Sequence, residues 1–412
     1  MPDKHLVFLS YDGLSDPLGE AQVLPYIKGL AALGWKYTLI SFEKPELFQQ
    51  HRSRLEQECL AAGIDWQPLP YTKKPPVLST LYDQWMLRRY LRALYRRRPF
   101  HLLHCRGYIT AREGLHWQSK GVLFLFDMRG FFPDERADAG LWKKNHPIFG
   151  AVYRYFKRQE LAFLSRADHI ISLTEKGLSI MQAMLPSQGL SLKPCTVIPC
   201  CADLDLFDPN ALPENTRTAW RQARNLPETA PLLLYVGSLG TWYMLNEMLD
   251  FFREFLSLEP QARFVLATRD SADSVFSSAR QRGIPQERIH VESFARKDLP
   301  AAMASVNASV FFIRPSYSKQ ASSPTKQGEL MAMNVPVFCN TGVGDTDVLI
   351  ERYKSGILIP EFSPEAYRSA IRQWQSTRGS SSAHLRQGAM LAFALRIGIE
   401  RYNQVYLRVL NK

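Results

Sequence analysis

The chain has 412 residues, of which 46% are hydrophobic and 22% are charged, and its formal net charge is +12. These proportions are typical of a globular protein rather than a disordered chain, and the length suits two domains of about 200 residues each. No apolar run reaches the roughly 18 residues of a membrane-spanning helix. The basic charge favours acidic partners, namely nucleic acid, phosphorylated small molecules or an anionic membrane surface.

The cysteines and the start of the chain both predict a cytoplasmic protein. The six cysteines have no regular spacing and no C-x-x-C pair, so reduced thiols are expected rather than disulfides or a zinc site. Residues 1–5 run directly into an apolar strand without a signal-peptide pattern.

The first half of the chain alternates short apolar runs with helical patterns. A strand at residues 6–10 is followed by a glycine-containing loop, 12–19, and by a helix at 22–33. Further strands are predicted at residues 36–42, 101–104, 122–126, 169–173 and 195–199. Repeated strand–helix–strand units of this kind indicate a mainly parallel sheet that is covered on both faces.

A second series begins after a polar, proline-bearing stretch at residues 208–231. Strands are predicted at 232–237, 263–267, 288–291, 308–313, 335–339 and 356–358, and a helical pattern at 385–410. The fold class is therefore α/β, with two doubly wound Rossmann-like domains. The predicted domains are 1–205 and 206–385, with a C-terminal helical segment, 386–412, that packs back toward the first. Ligands bind beyond the carboxyl ends of such strands, so a central cleft between the two domains is the expected site.

Residues 322–337 are the most informative part of the sequence. Small polar residues there precede a helix start and a turn into an apolar strand. Pro324 suits the first turn of a helix, and Ser322 or Ser323 stands where an N-cap would lie. Lys326 in the first turn opposes the helix dipole unless an anion occupies the helix N-terminus. Free backbone N–H groups and an ammonium together bind phosphate there.

Two further features bear on the site. Glu329 lies one turn beyond Lys326, where its carboxylate could accept hydrogen bonds from a sugar hydroxyl. Gly19, before the first helix, lets the backbone approach a ligand closely. The chain has neither a G-x-G-x-x-G after its first strand nor a P-loop, which argues against a dehydrogenase or a P-loop kinase. For residues 322–337 the alternative is an ordinary capped helix with a solvated lysine. For the loop that contains Gly19 the alternative is a plain strand-to-helix connection.

Together these segments resemble family 4 glycosyltransferases of the GT-B fold over essentially the whole chain. The similar segments are residues 10–19, 22–26, 197–203, 235–239 and 323–336, with Phe207. The resemblance implies a retaining, metal-independent hexosyl- or N-acetylhexosaminyl-transferase. Its donor would be a UDP- or GDP-linked nucleotide-sugar, which is a substrate, so that no cofactor is expected. The first domain would bind the acceptor and the second the donor.

The resemblance also implies roles for individual residues. Ser323, Thr325 and Lys326 would lie at the diphosphate, and Glu329 would bind the ribose hydroxyls. Residues 294–299 would lie near the base. The donor-binding residues expected on this basis are Gly19, Gly237, Ser238, Leu299, Arg314, Ser323, Thr325, Lys326 and Glu329.

The sequence departs from the family pattern at two places. Ala321 replaces the first glutamate of the paired-glutamate motif. The turn at residues 237–243 lacks the usual arginine and lysine. Arg314 or Arg269 could replace those charges, while Trp242 and Tyr243 could stack on a base or a sugar.

Residues 126–136 follow a buried strand, so Asp127 and Arg129 are expected at its carboxyl end. We expect Arg129, Asp127 and Lys326 to be the catalytic residues. The Arg129 guanidinium can hold a phosphate or carboxylate bidentately, and Lys326 supplies positive potential where the leaving diphosphate gains negative charge. The expected acceptor-binding residues are Asp16, Gln22, Arg129 and Asp134. The alternative is a structural salt bridge among the charged residues Arg129, Asp134, Glu135 and Arg136.

A basic helical stretch at residues 81–104 could lie on anionic lipid, or it could be a solvated helix face packed on the sheet. The leading hypothesis is a transferase that moves a sugar to a glycan or lipid-linked acceptor in cell-surface polysaccharide or glycoconjugate biosynthesis. It would act in the cytoplasm at the inner face of the cell membrane, without nucleic acid as a partner. The alternative is a catalytically silent, glycosyltransferase-like binding subunit, because Ala321 and the missing basic pair depart from the family.

Overall fold

A computed structural model describes residues 4–378 and 382–411 of the chain. The chain forms two compact units. Unit 1 contains the described residues of Met1–Pro199 and Leu395–Lys412, and unit 2 contains those of Cys200–Ala394. The limits expected from the sequence lay at residues 205 and 385.

Unit 1 is built on a seven-stranded parallel sheet. Its strands are β1 (His5–Ser10), β2 (Lys36–Glu43), β3 (Asp65–Pro70), β4 (Leu102–Arg106), β5 (Leu123–Asp127), β6 (His169–Ser172) and β7 (Cys195–Val197). Their order across the sheet is β3-β2-β1-β4-β5-β6-β7. Both β1 and β4 are buried along their whole length, as expected for strands covered on both faces. Because the strand order reverses between β1 and β4, their carboxyl ends are where this sheet would hold a ligand.

Nine α-helices belong to the described part of unit 1. The first eight are α1 (Pro17–Gln22), α2 (Leu24–Ala32), α3 (Pro45–Ala61), α4 (Leu78–Arg97), α5 (Tyr108–Gln118), α6 (Phe132–Asp138), α7 (Pro147–Arg166) and α8 (Glu175–Met184). The ninth is the final helix of the chain, which packs on α2. There Trp35 Nε1 donates to Asn403 Oδ1 at 2.9 Å, and Ile399 occupies the space that a Cβ on Gly29 would need.

Unit 2 is built on a six-stranded parallel sheet. Its strands are β8 (Leu232–Val236), β9 (Arg263–Ala267), β10 (Ile289–Glu292), β11 (Ala308–Phe311), β12 (Val337–Asn340) and β13 (Gly356–Ile359), in the order β10-β9-β8-β11-β12-β13. Its helices are α9 (Thr216–Gln222), α10 (Leu245–Leu258), α11 (Ala272–Arg280), α12 (Leu299–Ala304), α13 (Thr325–Ala332), α14 (Thr346–Tyr353), α15 (Pro364–Thr377) and α16 (Ala383–Ala392), and the final helix of unit 1 is α17 (Leu395–Leu410). The order reverses between β8 and β11, so the expected ligand edge lies at their carboxyl ends.

Three elements differ from the sequence-based expectation. Strand β3 was missed because it contains Pro68 and Pro70, and it tolerates them because it is the edge strand of its sheet. The helix predicted at 22–33 is α2, which begins at Leu24, and a separate short helix, α1, overlaps the predicted loop 12–19. The single helix predicted at 385–410 is two helices, and the break falls where the chain passes from unit 2 to unit 1.

Candidate functional site

The turn after β8 is shaped for close approach of another group. Gly237 has a φ of 125°, in the region that favours glycine. A Cβ at this position would lie 3.0 Å from Lys326 Nζ. The Gly237 N–H donates to the Ala267 carbonyl at 3.0 Å, and the Tyr235 hydroxyl donates to the Ser238 carbonyl. The turn is thereby fixed with its backbone beside the lysine.

Helix α13 starts one or two residues later than predicted. Its N-cap is Pro324, with φ −68° and ψ 113°, and no side chain caps it. The prediction that Ser322 or Ser323 is the N-cap is therefore wrong, because the hydroxyl of Ser323 instead accepts from the backbone N–H of Cys200 at 3.1 Å. The first turn contains no acidic residue. The uncapped N-terminus leaves the positive end of the helix dipole available to an anion.

Lys326 is buried without a counter-charge in hydrogen-bonding contact. Its side chain is 7% exposed, and Nζ has no hydrogen-bond partner among the described residues. Nζ lies 3.6 Å from the ring centroid of Tyr243 and 4.4 Å from that of Tyr235. Burial lowers the pKa of Lys326 well below its usual value, although Glu329 acts in the opposite direction. An anion that entered here would favour the charged form of the amine and so raise its pKa.

Glu329 contacts the segment that the sequence placed near a base. The carboxylate is buried, and its Oε1 lies 2.8 Å from Arg296 Nη1. Burial raises the pKa of Glu329, and Arg296 and Lys326 lower it by less. Arg296, in residues 294–299, also stands 5.2 Å over the Phe207 ring. The structure thus brings the predicted base segment and the predicted ribose carboxylate together, through an arginine that the sequence analysis had not selected.

The missing basic pair is replaced by aromatic rings. Tyr243 supplies the nearest ring to Lys326, and the Trp242 ring lies 3.8 Å from Lys319 Nζ. Arg269 and Arg314, the proposed substitutes, are both exposed to solvent. The loop after β11 is fixed instead by Asn340, whose amide both accepts from the Ile313 N–H at 2.8 Å and donates to its carbonyl at 3.0 Å.

The loop before α1 is organised by a carboxylate that the sequence analysis missed. Glu43, at the carboxyl end of β2, accepts from the backbone N–H groups of Leu14 and Ser15 at 2.7 and 3.1 Å. It also accepts from the hydroxyl of Ser15. Gly19 packs so closely on this loop that a Cβ would lie 2.0 Å from the Gly13 carbonyl oxygen. Gly19 is therefore required by packing within unit 1.

Asp127 is buried at the end of β5 in a network with α17. Its Oδ2 accepts from the Tyr402 hydroxyl at 3.0 Å and lies 3.3 Å from His104 Nε2, while Oδ1 lies 3.5 Å from Arg129 Nη1. Burial would raise the pKa of Asp127, but Arg129, His104 and Arg106 outweigh it and hold the pKa well below its usual range. Asp127 remains ionised and orients Arg129, which lines a cavity of about 370 Å³.

The predicted acceptor residues occupy different surroundings. Asp16 lines the same cavity as Arg129 and accepts from Lys44 Nζ at 2.8 Å. Gln22 is buried. Asp134 is also buried and turns toward α7, where it accepts from Tyr153 at 2.8 Å and Lys157 at 2.9 Å.

The next two residues along α6, Glu135 and Arg136, line the cavity. Among the charged residues of the alternative ion-pair cluster, Arg129 approaches Asp127 and Asp134 pairs with Lys157.

Neither a metal cluster nor a membrane-spanning helix is found in residues 4–378 and 382–411. No group of three or more His, Cys, Asp and Glu side chains there could hold a metal ion. No helix in the same ranges is long and apolar enough to cross a membrane.

Family models match both units. The model described as "Glycosyltransferase Family 4" matches residues 19–206, and the model described as "Glycosyl transferases group 1" matches residues 216–390. The chain belongs to glycosyltransferase family 4. No curated protein is similar enough to this glycosyltransferase to count as a match.

Solved structures of low sequence identity share the fold of this glycosyltransferase. Sucrose-phosphate synthase from Thermosynechococcus elongatus is 16% identical, with a TM-score of 0.72 and 99% of each chain covered. A glycosyltransferase from Rickettsia africae is 14% identical, with a TM-score of 0.73, covering 100% of this chain and 99% of that one. HepE of Anabaena, solved with UDP, is 13% identical, with a TM-score of 0.69, and the match covers 98% of this chain and 100% of that one. The predicted GT-B fold is confirmed.

The network around Asp127 makes a prediction about stability. Tyr402→Phe removes one hydroxyl that donates to a buried carboxylate, so we expect a loss of about 1.5–3 kcal/mol in the free energy of unfolding. Tyr406→Phe, one turn further along α17, removes a contact of 2.6 Å with neutral His104 and should cost about 0.5–1.5 kcal/mol. Urea denaturation of both variants measures the difference. Equal losses of unfolding free energy in the two variants would contradict the ionised state of Asp127.

Proposed function

We propose that this glycosyltransferase moves a hexosyl or N-acetylhexosaminyl group from a UDP- or GDP-linked donor to an acceptor, with retention of configuration and without a metal. The observation that carries the proposal is Lys326, a buried amine without a hydrogen-bonding partner at an uncapped helix N-terminus. Such an arrangement costs stability, and a bound diphosphate would repay it. The presence of UDP in the HepE structure supports a nucleotide of this kind.

The chemistry of the proposed reaction centres on the leaving group. As the glycosidic bond breaks, the departing nucleoside diphosphate gains negative charge, which the amine of Lys326 and the start of α13 would stabilise. Ser323 and Thr325 would contribute polar groups of the same loop. Glu329 would bind the ribose hydroxyls. Arg296 would then give up its contact with the Glu329 carboxylate and contact the nucleoside instead. Gly237, Ser238 and Leu299 would line the nucleotide, and the exposed Arg314 stays a proposal as a donor contact.

In unit 1 the proposal assigns acceptor binding to the cavity that Arg129 lines. Arg129 would hold a phosphate or carboxylate of the acceptor, and Asp127 would act through it as a positioning residue. Asp16 and Arg136 line the same space. The leaving phosphate oxygen would take the acceptor's proton, so the proposal needs no side-chain base.

We assign the acceptor to the glycans or lipid-linked sugars of cell-surface polysaccharide or glycoconjugate biosynthesis. The enzyme would then work in the cytoplasm at the inner face of the membrane, in contact with anionic lipid. Several arginines of α4 are exposed, including Arg89, Arg92 and Arg96. Arg88 instead pairs with Glu113 at 2.8 Å, so part of the basic stretch is structural.

Nucleotide binding tests the donor site directly. We expect UDP or GDP to raise the melting temperature, because a ligand that binds only the folded protein stabilises it. Glu329→Gln should weaken UDP binding about tenfold and leave inorganic pyrophosphate unaffected, since pyrophosphate has no ribose. Glu287→Gln, an exposed glutamate of unit 2, is the matched control. Equal losses for UDP and pyrophosphate would argue against the ribose role.

A silent binding subunit is the second candidate. Ala321 is buried, and aromatic rings stand where the family has its basic pair. The two functions differ in one assay: an active enzyme hydrolyses its sugar nucleotide slowly without acceptor, whereas a silent subunit does not. Absence of binding to all UDP, GDP, ADP and dTDP conjugates would favour the silent subunit.

A further inference from the structure

Two cavities of unit 1 adjoin. The polar cavity, of about 370 Å³, lies at the carboxyl ends of β1, β4 and β5, and the apolar chamber, of about 540 Å³, lies between α4, α6 and α7. Both are lined by Tyr11, Tyr71, Ile109, Phe132 and Arg136. Because they share these walls, one ligand could extend from the sheet edge into the chamber.

The chamber is lined mainly by aromatic and aliphatic side chains. Trp142 stacks on Phe156 at 5.6 Å, and Phe132 meets both rings edge-on at 5.4 Å. Val152 completes this wall from α7. An open chamber of this size and composition is within the range of sites for small apolar ligands.

The charges that line the chamber have one sign. Its charged residues in the described part of the chain are Lys73, Arg112 and Arg136, and none is acidic. Arg112 stands 5.3 Å over Tyr155, and Arg136 stands 5.2 Å over Phe132. Neither guanidinium forms an ion pair with a described residue; Arg112 donates a hydrogen bond to the neutral Gln84 side chain, and Arg136 is exposed. Apolar walls beside cations that have no acidic partner fit a ligand that combines an anion with an apolar body.

An exposed apolar stripe continues from the chamber onto the surface. Leu78, Leu81, Tyr82 and Trp85 recur at helical spacing on α4 and are 48–63% exposed. Leu81 lines the chamber as well. Arg89 stands 5.7 Å over the Trp85 ring, which adds a cation beside the stripe. A hydrocarbon that left the chamber would meet this stripe rather than a polar surface.

We propose that unit 1 selects an acceptor carried on a phosphorylated hydrocarbon chain. The hydrocarbon occupies the apolar chamber, the phosphate lies at Arg112 and Arg136, and the acceptor sugar extends into the polar cavity beside Arg129. This rests on the proposed function for the reaction itself, whereas the binding of the chain does not depend on it. A water-soluble glycan would leave the apolar walls in contact with water and the cations without an anionic partner.

Calorimetry with monomeric octyl, decyl and dodecyl phosphate tests the chamber. We expect binding to tighten by about fourfold for each added CH₂ until the chamber is full. Inorganic phosphate should bind at least 100-fold more weakly than dodecyl phosphate, and uncharged dodecyl maltoside at least tenfold more weakly. An affinity independent of chain length, or equal for inorganic phosphate, would overturn the proposal.

Variants separate the chamber from the surface and from the donor site. Val152→Trp fills the chamber and should reduce dodecyl phosphate affinity by at least tenfold, and Ala151→Trp, at a more exposed lining position, serves if the first variant fails to fold. Leu60→Trp, at an 80% exposed position on α3, is the control. UDP affinity should be unchanged in all three variants. If the wild type itself does not bind UDP but binds dodecyl phosphate, the result counts against the donor site and not against the chamber.

A vesicle arm identifies the source of the lipid phosphate. Phosphatidylglycerol vesicles present the same phosphate on a membrane surface. If Val152→Trp binds dodecyl phosphate as tightly as the wild type, and both proteins bind the vesicles, the stripe on α4 is a membrane contact and the chamber proposal is wrong. Loss of dodecyl phosphate binding with vesicle binding retained supports a single chain held in the chamber.

Discussion

Replacing Lys326 by methionine should weaken donor binding and, at the same time, make the protein more stable. The amine is buried among aromatic rings without a hydrogen-bond partner, and burial lowers its pKa. A hydrogen bond between charged groups is worth about 1.5–3 kcal/mol, so affinity for UDP should fall by about 10- to 150-fold. Filling the site with an apolar side chain should raise stability by about 1–2 kcal/mol. Calorimetry and urea denaturation measure the two effects.

The pH dependence of this stability gain has a fixed sign. The pKa of Lys326 is lower in the folded chain than its unfolded value of about 10.4, so the unfolded chain binds more protons between the two values. Wild-type stability therefore rises with pH through that window, until the amine is neutral in both states. The advantage of Lys326→Met should shrink as the pH approaches about 10.4. An advantage that grows with pH would contradict the buried amine.

Lys193→Met is the matched control for this substitution. Lys193 is exposed, so its replacement should change stability by no more than about 0.5 kcal/mol and leave UDP affinity unaltered. Donor binding should also draw a proton onto Lys326, which calorimetry in buffers of different ionisation enthalpy detects. Proton uptake that persists in Lys326→Met would assign it to another group.

The second large effect is expected at Glu43. Glu43→Ala removes the acceptor of two buried backbone N–H groups, those of Leu14 and Ser15. We expect unfolding free energy to fall by about 3–5 kcal/mol, because the amides lose a charged partner. Activity should fall about 100-fold at temperatures where the variant is folded, since misplacing a substrate loop by about 1 Å has that effect.

Two further variants separate the loss of the carboxylate from a general loss of folding. Glu43→Gln retains the size of the side chain but turns an amide donor toward one of the N–H groups, so its losses should be intermediate. Glu46→Ala, three residues on and exposed, should be neutral. Full activity in folded Glu43→Ala would show that the loop before α1 plays no part in catalysis.

The parts of the fold that the sequence predicted are those with local signals. Apolar runs marked twelve of the thirteen strands that the described residues form, because a strand buried on both faces is continuous in sequence. Strand β3 lacks that signal, since an edge strand can carry prolines. The turn at Gly237 and the position of Lys326 were predicted from glycine and from a lysine that opposes the helix dipole.

The supporting contacts could not be predicted because they join residues far apart in sequence. Glu43 reaches the loop near Ser15, Asn340 holds Ile313, and Arg296 pairs with Glu329. Each of these is an ordinary polar residue at the end of a strand or in a loop, without a motif. A buried asparagine or glutamate directly after an apolar strand was the only available signal. Tyr243 was expected to stack on a base or a sugar, whereas its contact with Lys326 joins two residues far apart in the sequence.

The position of α17 has a consequence for the order in which the protein can be made. Its buried tyrosines Tyr402 and Tyr406 complete unit 1, although unit 2 separates them from the rest of that unit in the chain. A nascent polypeptide ending at Ala394 contains every strand of unit 1 but still exposes the face that α17 covers. Domains usually mature on the ribosome from the amino end. Here the later segment, residues 200–394, is contiguous and can finish first, whereas unit 1 must wait until residues 395–410 have been made.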